Sequence, residues 1–315
     1  MREFALVDRL AQRLNPQRAD TRLGIGDDAA LIAPPPGQEL AITTDTLIAG
    51  RHFPSDTAAF DIGYKALAVN LSDLAAMGAA PAWVTIALAA PELDADWCDA
   101  LLDGALAAIG RASVDIIGGD TTRGELTLTI TAIGCVPPSA ALRRSGARVG
   151  DLIAVTGTLG DAAYGLQCWD ARASASPDQQ ACIARLTRPS WRTGWALRGL
   201  ASAAIDVSDG LAADLGHILN ASGVGACVNI DALPASPALA RACDRDQRRQ
   251  LQFAGGDDYE LCITLADSAL DSARAALDCP LTVIGRVEAE AGLRVVDREE
   301  RPWAVEDTRG WDHFA

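Results

Sequence analysis

The chain has 315 residues, of which 49% are hydrophobic, so it can bury a large core and is expected to divide into two domains. Its formal net charge of -15 argues against nucleic acid or an anionic membrane surface as a partner, because both are bound by basic surfaces. No apolar run approaches the roughly 18 to 20 residues of a membrane span, and the first residues do not resemble a signal peptide, so a cytoplasmic protein without a membrane partner is expected. The eight cysteines contain no C-x-x-C pair, which favours reduced thiols over disulfides or a zinc site.

Hydrophobic periodicity predicts alternating helices and strands in the first half of the chain. Helices are expected near residues 2–14, 60–78 (as one helix or a pair) and 94–110, and strands near 29–33, 39–47, 82–90, 113–117 and 125–136. The segment 60–78 has a broad apolar surface in which Ser72 and Asp73 are embedded. Pro137-Pro138 ends this half, so an N-terminal domain is predicted over residues 1–137.

The second half opens with a predicted strand near 151–157 that leads into a glycine-rich turn. Further helices are expected near 160–170, 178–186, 191–203 and 209–221, and further strands near 204–207, 226–230, 259–265, 281–287 and 293–296. Strands and helices alternate too evenly for an all-α or an all-β protein. The pattern therefore predicts the α/β (α+β) class, with a second α/β domain over residues 148–315.

Aspartates set among glycine, serine and threonine recur along the whole chain. They occur in Gly24-Ile25-Gly26-Asp27-Asp28, Thr43-Thr44-Asp45-Thr46, Asn70-Leu71-Ser72-Asp73, Gly118-Gly119-Asp120-Thr121-Thr122, Asp206-Val207-Ser208-Asp209-Gly210 and Gly255-Gly256-Asp257-Asp258. Carboxylates and hydroxyls are hard oxygen ligands suited to Mg²⁺, and glycines let the backbone approach a phosphate. If the segments converge, their negative charge requires bound cations. The pattern therefore predicts a site for magnesium and a polyphosphate.

The scarcity of lysine limits how such a site can work. Lys65 is the only lysine in the chain, so neither a Walker A loop nor the strand lysine of a protein kinase can be assembled. If the protein handles ATP, it does so with metals and arginine. The segment Gly24–Ala29 fits the dinucleotide pattern G-x-G-x-x-A, but two carboxylates in that loop would repel a pyrophosphate and residues 18–22 are not a buried strand.

The two halves share a faint repeat. Ser72-Asp73 precedes Gly118-Gly119-Asp120, and Ser208-Asp209 precedes Gly255-Gly256-Asp257, with 47 and 48 positions between the corresponding aspartates. The repeat predicts one acidic helix start and one Gly-Gly-Asp turn in each half, although coincidence is an alternative because Gly-Gly-Asp is a common turn.

Taken in order, the motifs resemble those of the bacterial thiamine-monophosphate kinases. The segments that carry the resemblance are Gly24–Ala29, Thr43–Leu47, Lys65–Gly78, Ile117–Thr122, Arg144–Ala147, Ile205–Leu211, Gly255–Leu261 and Gly310–Phe314. Each motif alone is weak, but the ordered set covers essentially the whole chain. The resemblance implies two α/β domains of the aminoimidazole ribonucleotide synthetase-like fold and a homodimer formed through the N-terminal domain. It also implies Mg²⁺-assisted transfer of the ATP γ-phosphoryl group to thiamine monophosphate, giving thiamine diphosphate.

The resemblance also implies roles for individual residues. Several Mg²⁺ ions would be held by Asp28, Thr43, Thr44, Asp45, Asp73, Asp120, Asp206 and Asp209; ATP would be bound by Gly119, Asp120, Arg144 and Ser208, and the thiamine substrate by His52, Asp257 and Trp311. Asp257 departs from the family, which usually carries Glu there, so direct substrate contact by this shorter side chain is in question. Asp27 and Asp258 are the less certain neighbours in their pairs, and holding a turn is the alternative role for each. An alternative for any single Asp is a helix N-cap, for example Asp209 before Gly210-Leu211.

The chemistry is consistent with this interpretation. A phosphate monoester has a second pKa of about 6, so the attacking oxygen is already mostly ionised near neutral pH and no strong general base is required. Two rival hypotheses remain at this stage: another enzyme of the same superfamily, forming an acyl or imidate phosphate or selenophosphate, and a non-catalytic regulatory dimer that binds divalent ions. The first cysteine is Cys98, too late for the selenophosphate reaction, and the ending Trp311-Asp312-His313-Phe314 is not expected of a purine-pathway synthetase.

Overall fold

A computed structural model describes residues 3–110 and 112–304. The chain divides into two compact units. The first extends to Leu74 and includes Ala79–Ser139, and the second includes Ala75–Gly78 and continues from Ala140. Each contains its own sheet, so the prediction of two α/β domains is confirmed.

The first unit is built on a four-stranded sheet of order β3-β6-β4-β5. Its elements are α1 (Glu3–Arg13), β1 (Thr21–Leu23), β2 (Leu31–Ile32), β3 (Glu39–Ile48), α2 (Ala59–Ala76), β4 (Ala80–Ala90), α3 (Ala95–Ile109), β5 (Asp115–Arg123) and β6 (Thr127–Val136). The strand β6 is antiparallel to both neighbours, β4 and β5 are parallel, and β1 and β2 form a separate antiparallel pair.

The alternation along β6 defines the two faces of this sheet. Leu128, Ile130 and Ala132 are buried, whereas Thr129 and Thr131 between them are only half-buried. Successive side chains of a strand point to opposite faces, so an apolar face lies inside and a threonine-rich face outside. The prediction of an alternating strand near 125–136 is confirmed.

Two glycines allow α2 and α3 to pack with their backbones in contact. A Cβ atom added at Gly63 would lie 1.9 Å from the carbonyl oxygen of Leu101, and one added at Gly104 would lie 1.8 Å from that of Phe60. No side chain can be accommodated at either distance. The close crossing fixes α2, the helix that carries Asp73.

The second unit is built on a six-stranded sheet of order β12-β9-β11-β7-β10-β8. Its elements are β7 (Leu152–Thr156), α4 (Asp161–Gln167), α5 (Pro177–Thr187), β8 (Ala201–Asp206), α6 (Leu211–Ser222), β9 (Gly225–Asn229), α7 (Pro237–Ala242), α8 (Arg245–Ala254), β10 (Leu261–Leu265), α9 (Leu270–Ala276), β11 (Leu281–Glu288) and β12 (Gly292–Val296). Only β9 and β12 pair in parallel. The apolar side of α6, with Leu215 and Ile218, packs into the same core as Ile205 of β8.

Some sequence predictions are wrong. The helix expected over 191–203 is a short 3-10 turn, Gly194–Leu197, followed by β8, because residues 201–206 pair with β10. The strand near 113–117 extends to Arg123, so Gly118-Gly119-Asp120 is strand and not a turn. Asp73 lies inside α2, near its end, and not at a helix start. The repeat between the halves is therefore not a repeat of structure, and β1, α7, α8 and α9 were not predicted.

Two global expectations can be compared with the fold. All eight cysteines are free thiols, four of them buried and four partly buried. Across residues 3–110 and 112–304, no helix has both the length and the apolar character needed to cross a membrane.

The helix crossing at Gly63 leads to a test of packing. We expect Gly63→Ala to destabilise the protein by about 1–3 kcal/mol, because the new methyl group forces the two backbones apart. The matched control is Gly216→Ala in α6, where an added Cβ meets no atom within 4 Å. That change should be neutral or stabilising by up to about 1 kcal/mol, because alanine has the higher helix propensity. Thermal unfolding measures both, and a variant G63A as stable as wild type would contradict the crossing.

A buried carboxylate in the second unit leads to a test of acid stability. Burial by itself would raise the pKa of Asp231, but hydrogen bonds from Arg249 and Arg245 lower it to about 2. Since the pKa in the unfolded chain is about 3.9, the folded state favours the ionised form. This contribution is fully present above pH ~4 and is lost as the pH falls toward 2.

We therefore expect Asp231→Asn to lower the urea midpoint at pH 7, and the difference from wild type to narrow between about pH 4 and pH 2. Midpoints measured across this range check the expectation. A difference that grows on acidification would contradict it.

Candidate active site

Three of the predicted ligands converge in the first unit. Alternation along β3 places Thr43 and Asp45 on one face, and α2 places Asp73 beside them. The Thr43 hydroxyl donates a hydrogen bond to the Asp73 carboxylate. Burial, and then the negative charge of Asp73, raise the pKa of Asp45 to about 6. Two carboxylates and a hydroxyl thus form a set of oxygen donors with excess negative charge.

Asn70 supports this set and was not predicted. Its side chain is fully buried, with Oδ1 accepting the backbone N–H of Asp45 at 3.1 Å and Nδ2 donating to the Ala66 carbonyl at 2.9 Å. β3 is an edge strand, so this amide takes the place of a neighbouring strand at Asp45. The only sequence signal was an asparagine inside the otherwise apolar run at residues 66–71 of this helix.

Thr44 and Asp120 lie on the opposite face of the same sheet. The Thr44 and Thr131 hydroxyls are 2.9 Å apart, and Asp120 is aligned through Ala87 and Thr129 with Thr46. β3 and β5 are the two edge strands, about 14 Å apart at a spacing of about 4.8 Å per strand. The fold therefore does not bring Asp120 to Asp45 within the sheet of one chain.

Gly119 and Asp120 occupy a strand that is held close to its neighbour. A Cβ atom added at Gly119 would lie 1.8 Å from the Ile86 carbonyl oxygen. Glycine is required here for strand packing, so its presence does not by itself indicate a phosphate contact. Asp120 is exposed at the next position.

Asp27 and Asp28 are both exposed in the loop between β1 and β2. The Asp28 backbone N–H donates to Asp27 Oδ1 at 2.9 Å, so Asp27 stabilises the turn that carries Asp28. The segment before this loop is anchored by the buried Asp115, which accepts hydrogen bonds from the Gln17 backbone N–H at 2.8 Å and the Thr21 hydroxyl at 2.6 Å. Asp115 was not predicted to have a role.

His52 lies in the turn that follows β3. Its Nδ1 accepts the backbone N–H of Ile48 at 3.0 Å, so the proton of the neutral ring is assigned to Nε2. The Lys65 ammonium, only 2% exposed, donates to the His52 carbonyl at 3.0 Å. The single lysine thus holds the His52 turn and is too buried to contact a phosphate.

In the second unit, the segment after β8 is organised by a residue that sequence reasoning missed. Asp206 ends β8 and is buried, and Ser208 and Asp209 follow in a turn before α6. Oδ2 of Asp214, on the first turn of α6, accepts the backbone N–H groups of Ser208 at 2.9 Å and Asp209 at 3.1 Å. Burial, and then the charge of Asp209, raise the pKa of Asp214 to about 7.

The Gly255–Glu260 segment packs directly on this turn. The Asp257 and Tyr259 backbone N–H groups donate to the carbonyls of Ser208 and Val207, both at 2.8 Å. A Cβ added at Gly256 would lie 2.4 Å from the Ser208 carbonyl oxygen, so only glycine allows this approach. Asp257 and Tyr259 have φ angles of 69° and 52°, and the Tyr259 hydroxyl donates to Asp257 Oδ1 at 3.1 Å. Asp257 is thereby placed beside Ser208 and Asp209.

The next two acids of this segment are structural. Asp258 is 1% exposed and accepts the Gly160 backbone N–H at 2.7 Å, while its Oδ1 is buried without a hydrogen bond. Burial raises the pKa of Asp258 well above its usual value. Glu260 is fully buried and accepts hydrogen bonds from the Arg192 Nε at 2.6 Å and the Thr156 hydroxyl at 2.7 Å.

Arg144 and Trp311 are the two remaining predicted site residues. Arg144 is exposed, and its carbonyl accepts the Ser222 hydroxyl at 3.2 Å, which fixes its backbone to the end of α6. Trp311 lies outside the described residues.

The acids and hydroxyls of these segments are oxygen donors of the kind that bind divalent cations. Within the part of the chain that the structure describes, no three Asp, Glu, His or Cys side chains are grouped to hold one ion. The Thr43, Asp45 and Asp73 donors nevertheless fit Mg²⁺, which prefers oxygen ligands and usually keeps several waters. A divalent cation would also remove the repulsion between Asp45 and Asp73.

Comparison with known families agrees with this architecture. The family model of the AIR synthase related protein, N-terminal domain, matches residues 26–136, and that of the C-terminal domain matches residues 148–298. The chain is therefore a two-domain member of the AIR synthase related proteins.

Individual relatives define the family more narrowly. The chain is 50% identical over 321 residues to thiamine-monophosphate kinase from Salmonella typhimurium, covering 99% of this chain and 98% of that protein. Thiamine-monophosphate kinase from Stenotrophomonas maltophilia K279a superposes with a TM-score of 0.87 at 51% identity, covering 94% of this chain and 96% of the other. AaThiL complexed with AMPPCP and TMP superposes with a TM-score of 0.80 at 31% identity, covering 100% and 99% of the two chains. The chain belongs to the thiamine-monophosphate kinase family, and the resemblance drawn from its motifs is confirmed.

The neighbouring carboxylates of Asp45 and Asp73 lead to a test of metal binding that does not require catalysis. In EDTA at neutral pH, we expect Asp45→Asn to stabilise the protein by about 1 kcal/mol, because it removes a partly buried charge that faces Asp73. Mg²⁺ should then raise the thermal midpoint of wild type more than that of the variant.

Glu39→Gln, which removes an exposed carboxylate from the same strand, is the matched control and should behave as wild type in both conditions. An Asp45→Asn protein that is less stable in EDTA, yet gains as much from Mg²⁺ as wild type, would rule out the metal site at Asp45.

Proposed function

We infer that this protein transfers the γ-phosphoryl group of ATP to thiamine monophosphate and so forms thiamine diphosphate. The observation that carries the inference is the pair of acidic sets, at Thr43, Asp45 and Asp73 and at Ser208, Asp209 and Asp257, in a chain of this family. They supply oxygen ligands for cations and no basic side chain that could replace those cations.

The demands of the reaction match these sets. The phosphate of thiamine monophosphate is largely ionised near neutral pH and can attack without a strong general base. The remaining difficulty is to bring two polyanions together, and phosphoryl transfer depends mainly on positioning and charge neutralisation. Bound Mg²⁺ would supply that neutralisation. The only lysine is buried against the His52 turn, so arginine and metal ions must provide the positive charge.

We propose the following roles. Mg²⁺ ions are held by Asp28, Thr43, Thr44, Asp45, Asp73, Asp120, Asp206 and Asp209; ATP is bound by Gly119, Asp120, Arg144 and Ser208; the acceptor is bound by His52, Asp257 and Trp311. Nε2 of His52 is the donor for the acceptor, because Nδ1 already accepts a backbone N–H. Asp257 is held beside Ser208 by backbone hydrogen bonds, which supports a water-mediated role for its shorter side chain.

We further propose that the N-terminal domain, residues 1–137, forms a homodimer. The outer face of its sheet supports the dimer: Ile42, on the same face as Thr44, is 63% exposed, and Leu40 and Ile48 are exposed as well. Apolar side chains on an open sheet face favour burial against a second copy. The second domain, residues 148–315, contributes the Asp206–Asp209 turn. Because ATP is the proposed phosphoryl donor of this protein, we also propose a cytoplasmic location.

The test is product formation by the purified protein. We expect thiamine diphosphate from ATP, Mg²⁺ and thiamine monophosphate, with no product from free thiamine or from a purine-pathway acceptor. Asp73→Asn, prepared identically, should reduce the rate by about a hundredfold or more, because it removes the negative charge of one proposed metal ligand. This control excludes a contaminating kinase.

Phosphorylation of a different acceptor would indicate that the protein is another enzyme of the same superfamily. Mg²⁺-dependent ATP binding without turnover of any acceptor would favour a non-catalytic regulatory protein.

A further inference from the structure

The backbone of Ser208 is hydrogen-bonded through both its N–H and its carbonyl within the second unit. Its N–H donates to Asp214 Oδ2 at 2.9 Å, and its carbonyl accepts the Asp257 N–H at 2.8 Å. The N–H of Asp209 donates to the same Asp214 oxygen at 3.1 Å. A single carboxylate oxygen therefore holds the turn that carries Ser208 and Asp209. The Ser208 carbonyl of this turn then holds the backbone of Asp257.

The helix α6 begins without a side-chain cap, and its first turn is used to hold the preceding segment. The N-cap residue is Gly210, which has no side chain to accept the free N–H groups at the beginning of the helix. Asp214, in the first turn of this helix, instead accepts the N–H groups of Ser208 and Asp209, which precede the N-cap, and it is only 2% exposed. Its carboxylate is therefore withdrawn from solvent and engaged by the backbone, unlike that of the partly exposed Asp209.

We propose that Asp214 is a positioning residue for the nucleotide, metal and acceptor contacts of the second unit, acting through the backbone of Ser208, Asp209 and Asp257. The proposal rests on the roles assigned to these three residues under the proposed function. Loss of the Asp214 acceptor should loosen the turn and displace all three side chains together, whereas loss of an equivalent buried acid elsewhere should affect stability alone.

The chain offers a matched control in Asp151. It is buried, and its Oδ2 accepts a backbone N–H, that of Arg148 at 3.0 Å, together with the Ser202 hydroxyl at 2.6 Å. Ser202 is near the start of β8, whereas Asp214 bonds the residues that follow the end of β8. Asp151 and Asp214 thus each accept backbone N–H groups, and they do so near opposite ends of β8.

The first experiment measures backbone amide exchange in metal-free Asp214→Asn, Asp214→Ala and Asp151→Asn proteins. We expect exchange at Ser208 and Asp209 to accelerate by about ten- to a hundredfold in Asp214→Ala, since hydrogen bonds to a charged acceptor are lost. Asp214→Asn keeps one carbonyl oxygen and should show a smaller acceleration. Asp151→Asn should leave these two amides at the wild-type rate.

The second experiment measures steady-state kinetics of the same variants. Both Asp214 variants should raise the KM for Mg²⁺-ATP by about tenfold or more, and the KM for the acceptor should rise with it through Asp257. Asp151→Asn should lower the thermal midpoint and leave both KM values unchanged. If Asp214→Ala does not fold, Asp214→Asn carries both measurements.

Wild-type exchange at Ser208 and Asp209 in the Asp214 variants would overturn the proposal, and so would unchanged KM values. The exchange experiment contains no substrate, so it tests the positioning separately from the function. Failure of the wild-type protein to make thiamine diphosphate would overturn the function and leave the exchange result standing.

Discussion

The structure depends on how the negative charge of closely placed carboxylates is balanced in this acidic chain. Several of its structural acids are satisfied by internal donors: Glu260 by arginine, and Asp115 and Asp214 largely by backbone N–H groups. Asp45 is different, because its nearest charged influence is another carboxylate, that of Asp73. A folded protein tolerates such a pair only if a cation completes it under working conditions or if one member keeps its proton. Glu260, Asp115 and Asp214 therefore stabilise the fold around the site, whereas Asp45 faces a second carboxylate.

The two units assemble their acidic sets by different means. In the first, an edge strand and a helix meet, and the side chains of Asn70 and Asp73 reach across to β3. In the second, two turns are joined by backbone hydrogen bonds, and glycine at position 256 permits the contact. Similar spacing of aspartates along the sequence therefore arises from unlike local structures. What the halves share is the chemistry of the ligands and not their geometry.

The basic residues serve two different purposes, since some stabilise the fold and one is exposed. Lys65 and Arg192 are buried against a carbonyl and a carboxylate, where they hold the protein itself. Arg144 is exposed on a segment whose backbone is tied to α6. In the proposed function, metal ions would supply most of the neutralisation between the two polyanions, which agrees with the excess of acidic residues in the chain. It also explains why the dominant sequence signal is aspartate and not a lysine motif.

The sequence by itself determined the family, the class of fold and most of the long strands and helices. These follow from local patterns: alternation in 127–136 made a strand, and ordered Asp, Gly and Thr motifs identified the relatives. It could not distinguish a turn from a strand at Gly118-Gly119-Asp120, or a helix from a strand at 201–206, because sheet pairing with distant residues overrides local propensity.

Only the tertiary structure revealed the supporting residues Asn70, Asp115 and Asp214. Their partners are separated from them in sequence or lie on the backbone, and a backbone N–H leaves no trace in a motif. Only the tertiary structure, too, placed Asp45 and Asp120 on opposite faces of one sheet, since face and register depend on strand pairing and not on composition.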